Sequence, residues 1–325
     1  MKGDLSLEKK QILNKGANNL NVRELIEEKK RSVTGTNLVE KLMPKLLLFV
    51  AAISVLATIG ILFTLLFETI EFFKDVSFVE FFTGTVLKPL GENAQFGILP
   101  LVTGTFLSSA IAMIVAIPIG LMTAIYLSEY ASDRVRKALK PVLEILAGIP
   151  TIVYGFFALT FVTPILRTII PSLEPTNMLS PGIVMGIMII PMVASLSEDA
   201  MTAVPNSLRE GALALGATKL EVTMKVVVPA AISGIVASFV LGISRAIGET
   251  MIVTIASGSS KNFTFDITQS MQTMTAYIVE VTGGDAPAGS TLYYSLYAVA
   301  MTLFVFTLFM NLVAQYVSRK FREEY

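Results

Sequence analysis

Arg245 and Glu249 stand four residues apart in Phe239-Val240-Leu241-Gly242-Ile243-Ser244-Arg245-Ala246-Ile247-Gly248-Glu249-Thr250, a stretch otherwise built of apolar and small side chains. A guanidinium presents a fork of donors that matches the oxygens of a tetrahedral oxyanion. A carboxylate at i+4 falls on the same helix face and can hold that guanidinium while no anion is present. Each charge placed at mid-bilayer costs roughly 2.5–3.5 kcal/mol, so such residues mark solute pathways. An arriving anion would replace Glu249 as the partner of Arg245, and repulsion between the two anions would keep the site from trapping its solute. A purely structural ion pair between helices is the other reading of the same two residues. Thr151, Ser244 and Thr250 supply hydroxyls that either line a pathway or satisfy backbone carbonyls. Glu144, the other acid near a span, reads as an i−4 ion pair with Lys140.

The elements that must position these residues follow from composition. The chain is 53% hydrophobic and only 15% charged, with a mean hydropathy of +0.69. Continuous apolar runs recur at about 45–67, 98–127, 142–165, 181–197, 229–256 and 291–316. They do not alternate with a period of two, which excludes a β-barrel. The expected class is all-α, a polytopic membrane protein with six transmembrane helices. With both termini cytoplasmic, 20 of the 25 Lys and Arg fall inside and four outside (Lys74, Lys88, Arg167 and Lys261), leaving Arg245 within a span. The chain has no Cys and no His, which removes disulfides, thiolate chemistry and imidazole metal ligands. No cofactor, metal site or nucleic-acid partner is expected.

Along the chain, residues 1–44 form a cytoplasmic arm, amphipathic or loosely ordered over 5–31, and 45–67 the first span. Residues 68–97 form an extracytoplasmic loop whose five phenylalanines between Ile70 and Phe82 lie at the membrane interface, followed by an irregular stretch from Thr83 to Gly97. A five-helix core fills 98–316, with an outer loop over 278–290, and 317–325 is a cytoplasmic tail. Prolines and glycines within the spans serve helix packing.

The longest internal cytoplasmic segment, 198–228, carries two helix starts. Pro205 breaks the chain, Ser207 and Glu210 form a capping-box pattern, Gly216 supplies a turn, and Thr218 with Glu221 repeats the pattern. The result is a helix–Gly–helix elbow with apolar contacts from Leu208, Leu213, Leu215 and Leu220.

Glu210-Gly211-Ala212, with Gly216 four residues on and Val226-Val227-Val228-Pro229 after nine more, resembles the EAA loop of binding-protein-dependent ABC importer permeases. Gly211, Val226 and Val228 depart from that pattern while keeping size and polarity close. The resemblance implies a type I (MetI-like) permease core, with the elbow as the coupling helix that rests on a separate ATPase. Glu210 then helps hold the loop, and Gly211, Ala212, Gly216 and Pro229 shape it. The chain has no phosphate-binding loop of its own, since Gly258-Ser259-Ser260-Lys261 has the wrong spacing. It is therefore expected to be a non-catalytic subunit.

Arg245-Ala246-Ile247-Gly248-Glu249-Thr250 is similar to the signature of phosphate-system (Pst) permeases. Phe82-Thr83-Gly84-Thr85, Pro89, Phe96-Gly97, Leu99-Pro100 and Gly104-Thr105 resemble the entry to the second span of PstC-type subunits, and Ala147–Gly155 their third span. Leu87 stands where Trp is common. This likeness, over about 80–316, implies a phosphate importer in the bacterial inner membrane. Its partners would be a PstA-like permease, a PstB-like ATPase dimer, a PstS-like phosphate-binding protein and membrane lipid, with Arg245, Glu249 and Thr250 on the translocation path. Sulfate or molybdate permeases share most of the pattern. An ATP-independent channel or secondary transporter gated by Arg245 and Glu249 is the rival from another class, and such a protein has no use for the elbow.

Overall fold

The computed structural model describes residues 34–91, 93–284 and 286–320, so the expected helix over 5–31 and the end of the tail lie outside the described residues. It divides into two units, one ending at Thr64 and one beginning at Leu65. The described residues of the first are the leading part of a single helix, α1 (Thr34–Asp75). Leu46, Leu47, Leu48, Phe49 and Leu56 on it are all more than half exposed. A helix apolar on every side is stable only in hydrocarbon.

The second unit starts with the end of α1, then α2 (Phe78–Thr83). Phe72 meets Phe73, Phe81 and Phe96 edge-on, with ring centroids 5.2, 5.3 and 5.5 Å apart. The phenylalanine-rich segment packs on itself; Phe72 and Phe81 are buried while Phe78 is exposed. The stretch expected to be irregular holds a two-stranded antiparallel turn, β1 (Leu87–Lys88) against β2 (Gln95–Phe96). Its register is set by burying the Leu87–Phe96 pair against that aromatic cluster.

The remaining elements are α3 (Leu99–Ile125), α4 (Asp133–Gly148), α5 (Thr151–Phe157), α6 (Thr163–Ile169), α7 (Leu179–Thr202), α8 (Asn206–Ala214), α9 (Lys219–Val222), α10 (Val228–Ala230), α11 (Ile232–Ile247), α12 (Met251–Ala256), α13 (Met274–Gly283) and α14 (Thr291–Lys320). Wide turns over 126–130, 158–162 and 223–227 extend or join their neighbours without breaking the helical path. Among the described residues, five helices are long and apolar enough to cross a membrane. The pair Lys219–Ala230 and Ile232–Ile247, bent by 69°, supplies a sixth span if counted as one.

Two boundaries differ from the sequence reading. The third span begins at Thr151, not near 142, because Pro150 holds Ile149 in an extended conformation and ends α4 there. α4 buries no side chain, and its charges mark it as a surface helix. The expected loop over 278–290 is helical as far as Gly283.

α3 and α7 form the centre of the unit, and their approach depends on small residues. A Cβ on Gly186 would sit 2.7 Å from Val115 Cβ and 2.8 Å from the Ala112 carbonyl oxygen, so any larger residue would push the helices apart. Ser197 and Ser238 share a buried hydrogen bond of 2.8 Å that ties α7 to α11. Ser244 donates to Asn311 Oδ1 at 2.7 Å and ties α11 to α14.

Candidate functional site

Arg245 lies in the last turn of α11, which stops at Ile247. After the break at 248–250 the chain re-enters a helix at Met251. Glu249 is 8% exposed, and its Oε1 accepts from the Met251 N–H at 3.1 Å and the Ile252 N–H at 3.3 Å. It caps α12. The expected Arg245–Glu249 pair is absent: among the described residues the two charges make no ion pair. The i, i+4 geometry requires a continuous helix, and Gly248 interrupts it. The break is pinned further by Thr275, which donates to the Glu249 carbonyl at 2.7 Å. The Thr250 hydroxyl donates to the Gly248 carbonyl at 3.3 Å, satisfying backbone.

Arg245 instead reaches towards α7, where Nη2 lies 3.9 Å from Met188 Sδ. It lines a cavity of about 330 Å³ with Lys140, Glu144 and Ala147 of α4 and with Met188, Pro191, Met192, Ser195 and Leu196 of α7. A volume in this range accommodates a small hydrated ion. The cation sits at the C-terminal end of α11, where the helix dipole favours positive charge.

Lys140 does not pair with Glu144. Its Nζ lies 2.6 Å from Glu198 Oε2, as an ion pair without aligned hydrogen-bond geometry, and 3.5 Å from Asp199 Oδ1. The Glu198 contact outweighs burial and holds the lysine pKa above its ordinary value. Glu198 is 1% exposed, and Arg136 Nε approaches its other oxygen at 3.7 Å. Arg136 also donates to the Leu127 carbonyl at 2.6 Å and the Ser128 carbonyl at 3.0 Å. A local i, i+4 rule sees only Glu144; the carboxylates 58 and 59 positions away win because their helix packs against α4.

The elbow is α8, a turn and α9. The Gly216 N–H bonds the Leu213 carbonyl at 2.9 Å and the Ala217 N–H the Ala212 carbonyl at 3.2 Å, a Schellman end to α8. Gly216 has φ +88°. A Cβ there would meet nothing within 4 Å, so only backbone strain opposes substitution. Gly216→Ala should destabilise the elbow locally by about 1 kcal/mol, read as faster amide exchange over 211–217 with the membrane helices unchanged.

Thr218 and Glu221 form the expected capping box, with bonds of 3.3 and 3.0 Å. The Thr218 N–H, helped by Lys225, lowers the Glu221 pKa to about 2. The Ser207–Glu210 box does not form, because α8 starts at Asn206 after extended Pro205 and Ser207 is already inside it. Leu213 and Leu220 are 49% and 62% exposed and Leu215 is 91% exposed, so the elbow's leucines face outward instead of packing within this chain. Gly211 has open space around it. Ala212 packs on the cluster that holds Met201, Val222 and Val227, and Pro229 lies in the short α10 just before the bend.

Glu210 is exposed and makes no hydrogen bond or ion pair among the described residues. Its neighbour Arg209 holds the elbow. Arg209 donates to Glu129 Oε1 at 3.0 Å, to the Met201 carbonyl at 2.7 Å, to the Val204 carbonyl at 2.5 Å and to Asn206 Oδ1 at 3.2 Å. These bonds tie α8 to the end of α7 and to the wide turn after α3. In the sequence Arg209 reads as one more loop cation. The only clue is Glu129, an acid at the end of an otherwise uncharged span.

Long apolar helices, a broken span and a Gly-hinged elbow define the permease subunit of an ABC importer. The chain belongs to the family described as binding-protein-dependent transport system inner membrane component, whose model matches residues 116–323. It is 34% identical over 247 residues to the probable ABC transporter permease YqgH of Bacillus subtilis, covering 76% of this chain and 80% of that one. It is 35% identical to the phosphate transport system permease PstC 1 of Mycobacterium tuberculosis (73% and 76% covered). Against the probable PstC of Methanocaldococcus jannaschii the identity is 31% (75% and 83% covered). These relatives make it a PstC-like permease and a multi-pass membrane protein. Its fold is similar to a bacterial alginate ABC transporter (TM-score 0.62, 16% identity, 88% of this chain and 100% of that one). It is also similar to the MetNI methionine transporter (TM-score 0.52, 16% identity, 70% and 95%).

Proposed function

We propose that this chain forms one half of the translocation pathway of an ATP-driven phosphate importer, with Arg245 meeting the ion. The observation that carries this is a guanidinium inside a membrane helix that lines a cavity and has no carboxylate partner among the described residues. A cation left unpaired within the membrane is costly, and a tetrahedral oxyanion supplies the missing charge and acceptors. The names of the PstC relatives point to phosphate as that ion. Glu249 and Thr250 serve the path indirectly, by fixing the helix break that aims Arg245.

Both termini and the elbow are cytoplasmic in this proposal, which agrees with the partition of Lys and Arg. The exposed tip at Leu213, Leu215 and Leu220 fits a groove on a PstB-like ATPase, with Glu210 free to pair across that contact. A PstA-like permease completes the pathway and a PstS-like protein delivers phosphate. ATP binding by the partner moves the elbow, and the Arg209 linkage passes that movement to α3 and α7.

The test is phosphate uptake by the complex of both permeases, the ATPase and the binding protein in vesicles. Uptake should require ATP and should resist competition by excess sulfate or molybdate. Uptake blocked by sulfate or molybdate, or surviving ATP depletion, would overturn the solute or the coupling respectively.

A further inference from the structure

The cavity at Arg245 continues along α7 from Met188 to Ser195 and Leu196, two turns or about 10 Å at the rise of an α-helix. Arg245 marks one end and Lys140 the other. An ion held by a guanidinium fork needs somewhere to go, because a strong single site in a pathway binds its solute without releasing it. Given the import function proposed above, we propose that Lys140 is a second station for the oxyanion, taking it from Arg245 at the cytoplasmic mouth in exchange for Glu198 and Asp199.

The side chain suits the step. An ammonium on a four-carbon stem is a compact charge with three donors and can swing between partners, unlike a guanidinium locked by planar contacts. The Lys140 side chain is 37% exposed while that of Glu198 is 2% exposed, so the lysine can swing out and the carboxylate stays as a fixed competitor. Asp199, with its side chain 62% exposed, stands beside it at the mouth. When the carboxylates reclaim the ammonium, the ion is released. Arg136 also faces Glu198, but its Nε and Nη2 are held by the Leu127 and Ser128 carbonyls, which leaves Lys140 as the more mobile of the two cations. Glu144 lines the same cavity and repels an ion that lingers between the stations.

A plainer role is available: Lys140 neutralises buried Glu198 and never meets the ion. The two roles separate by charge arithmetic in the vesicle system with the whole complex. Lys140→Gln should lower uptake at saturating phosphate by about tenfold, the scale of one lost charge-assisted contact, and Lys140→Arg should keep most of it. The double variant Lys140→Gln/Glu198→Gln leaves no unpaired buried charge, so it assembles even if the single variant does not. Its uptake should stay as low as that of Lys140→Gln. Recovery to the wild-type rate in the double variant would show that Lys140 only neutralises Glu198, and would overturn the second station while leaving the import function standing. Wild-type uptake of sulfate or molybdate with none of phosphate would instead overturn the phosphate assignment, and the same variants would then be scored with that ion. A wild-type complex that moves no oxyanion would overturn both.

Discussion

Arg209→Ala should abolish ATP-driven uptake while the membrane helices stay folded. The side chain is 16% exposed and its partner Glu129 is 7% exposed. Truncation strands that carboxylate and removes the side-chain donors to the Met201 and Val204 carbonyls. Breaking a buried pair from one side typically costs about 3–5 kcal/mol. α3 and α7 are held to each other by extensive packing that Arg209 does not touch, so the cost falls on the docking of the elbow, whose own contacts are few. An elbow that opens locally cannot transmit a push. Amide exchange over 206–217 should rise steeply, and ATP hydrolysis by the partner should lose its dependence on solute.

Arg209→Lys should not rescue, because one ammonium cannot replace a planar fork engaged with a carboxylate and two carbonyls at once. Glu129→Gln combined with Arg209→Ala should cost less than the sum of the single changes, since the stranded charge is gone. Unchanged exchange and uptake in Arg209→Ala would remove the linkage from the coupling path.

The residues that were legible from the sequence share one property: their partners are local. The Schellman turn at Gly216 and the capping box of Thr218 with Glu221 need only contacts within five residues, so residue types at fixed offsets announce them. The spans were legible because hydrocarbon imposes length and composition directly. Misreadings arose where a distant partner competed with a local one. Lys140 had Glu144 at i+4 but found Glu198 and Asp199 across a helix contact. Glu249 had Arg245 at i−4 but found two free N–H groups at the start of α12. Ser207 and Glu210 matched a cap pattern two residues too late, because Pro205 had already started the helix. Arg209 was missed for the same reason in reverse: every one of its side-chain partners but Asn206 lies outside the elbow, so the elbow pattern does not contain its task.

The second large effect is expected at Arg245, and the missing ion pair determines its form. If Arg245 and Glu249 were mutual counter-ions, Arg245→Ala would strand a buried carboxylate, and loss of transport could not be told from loss of folding. Glu249 is instead satisfied by the Met251 and Ile252 N–H groups, and among the described residues the side-chain partner Arg245 loses is Met188 Sδ at 3.9 Å. Arg245→Ala should therefore assemble with its partners in normal amount and transport no phosphate. Arg245→Lys keeps the charge but not the fork, and should transport poorly with weakened discrimination among oxyanions. Glu249→Gln retains an oxygen for the cap and should be mild. Glu249→Ala loses the cap, a cost of about 1 kcal/mol, and should impair uptake by loosening the break that aims Arg245. That order of severity, with Arg245→Ala worst and Glu249→Gln mildest, differs from what a gate built on the pair requires, since a gate fails equally when either charge is removed. Uptake by the reconstituted complex, measured beside co-purification of the ATPase, separates the two. Transport persisting in Arg245→Ala would leave the cavity without its ion-binding cation and would overturn the translocation role assigned to it.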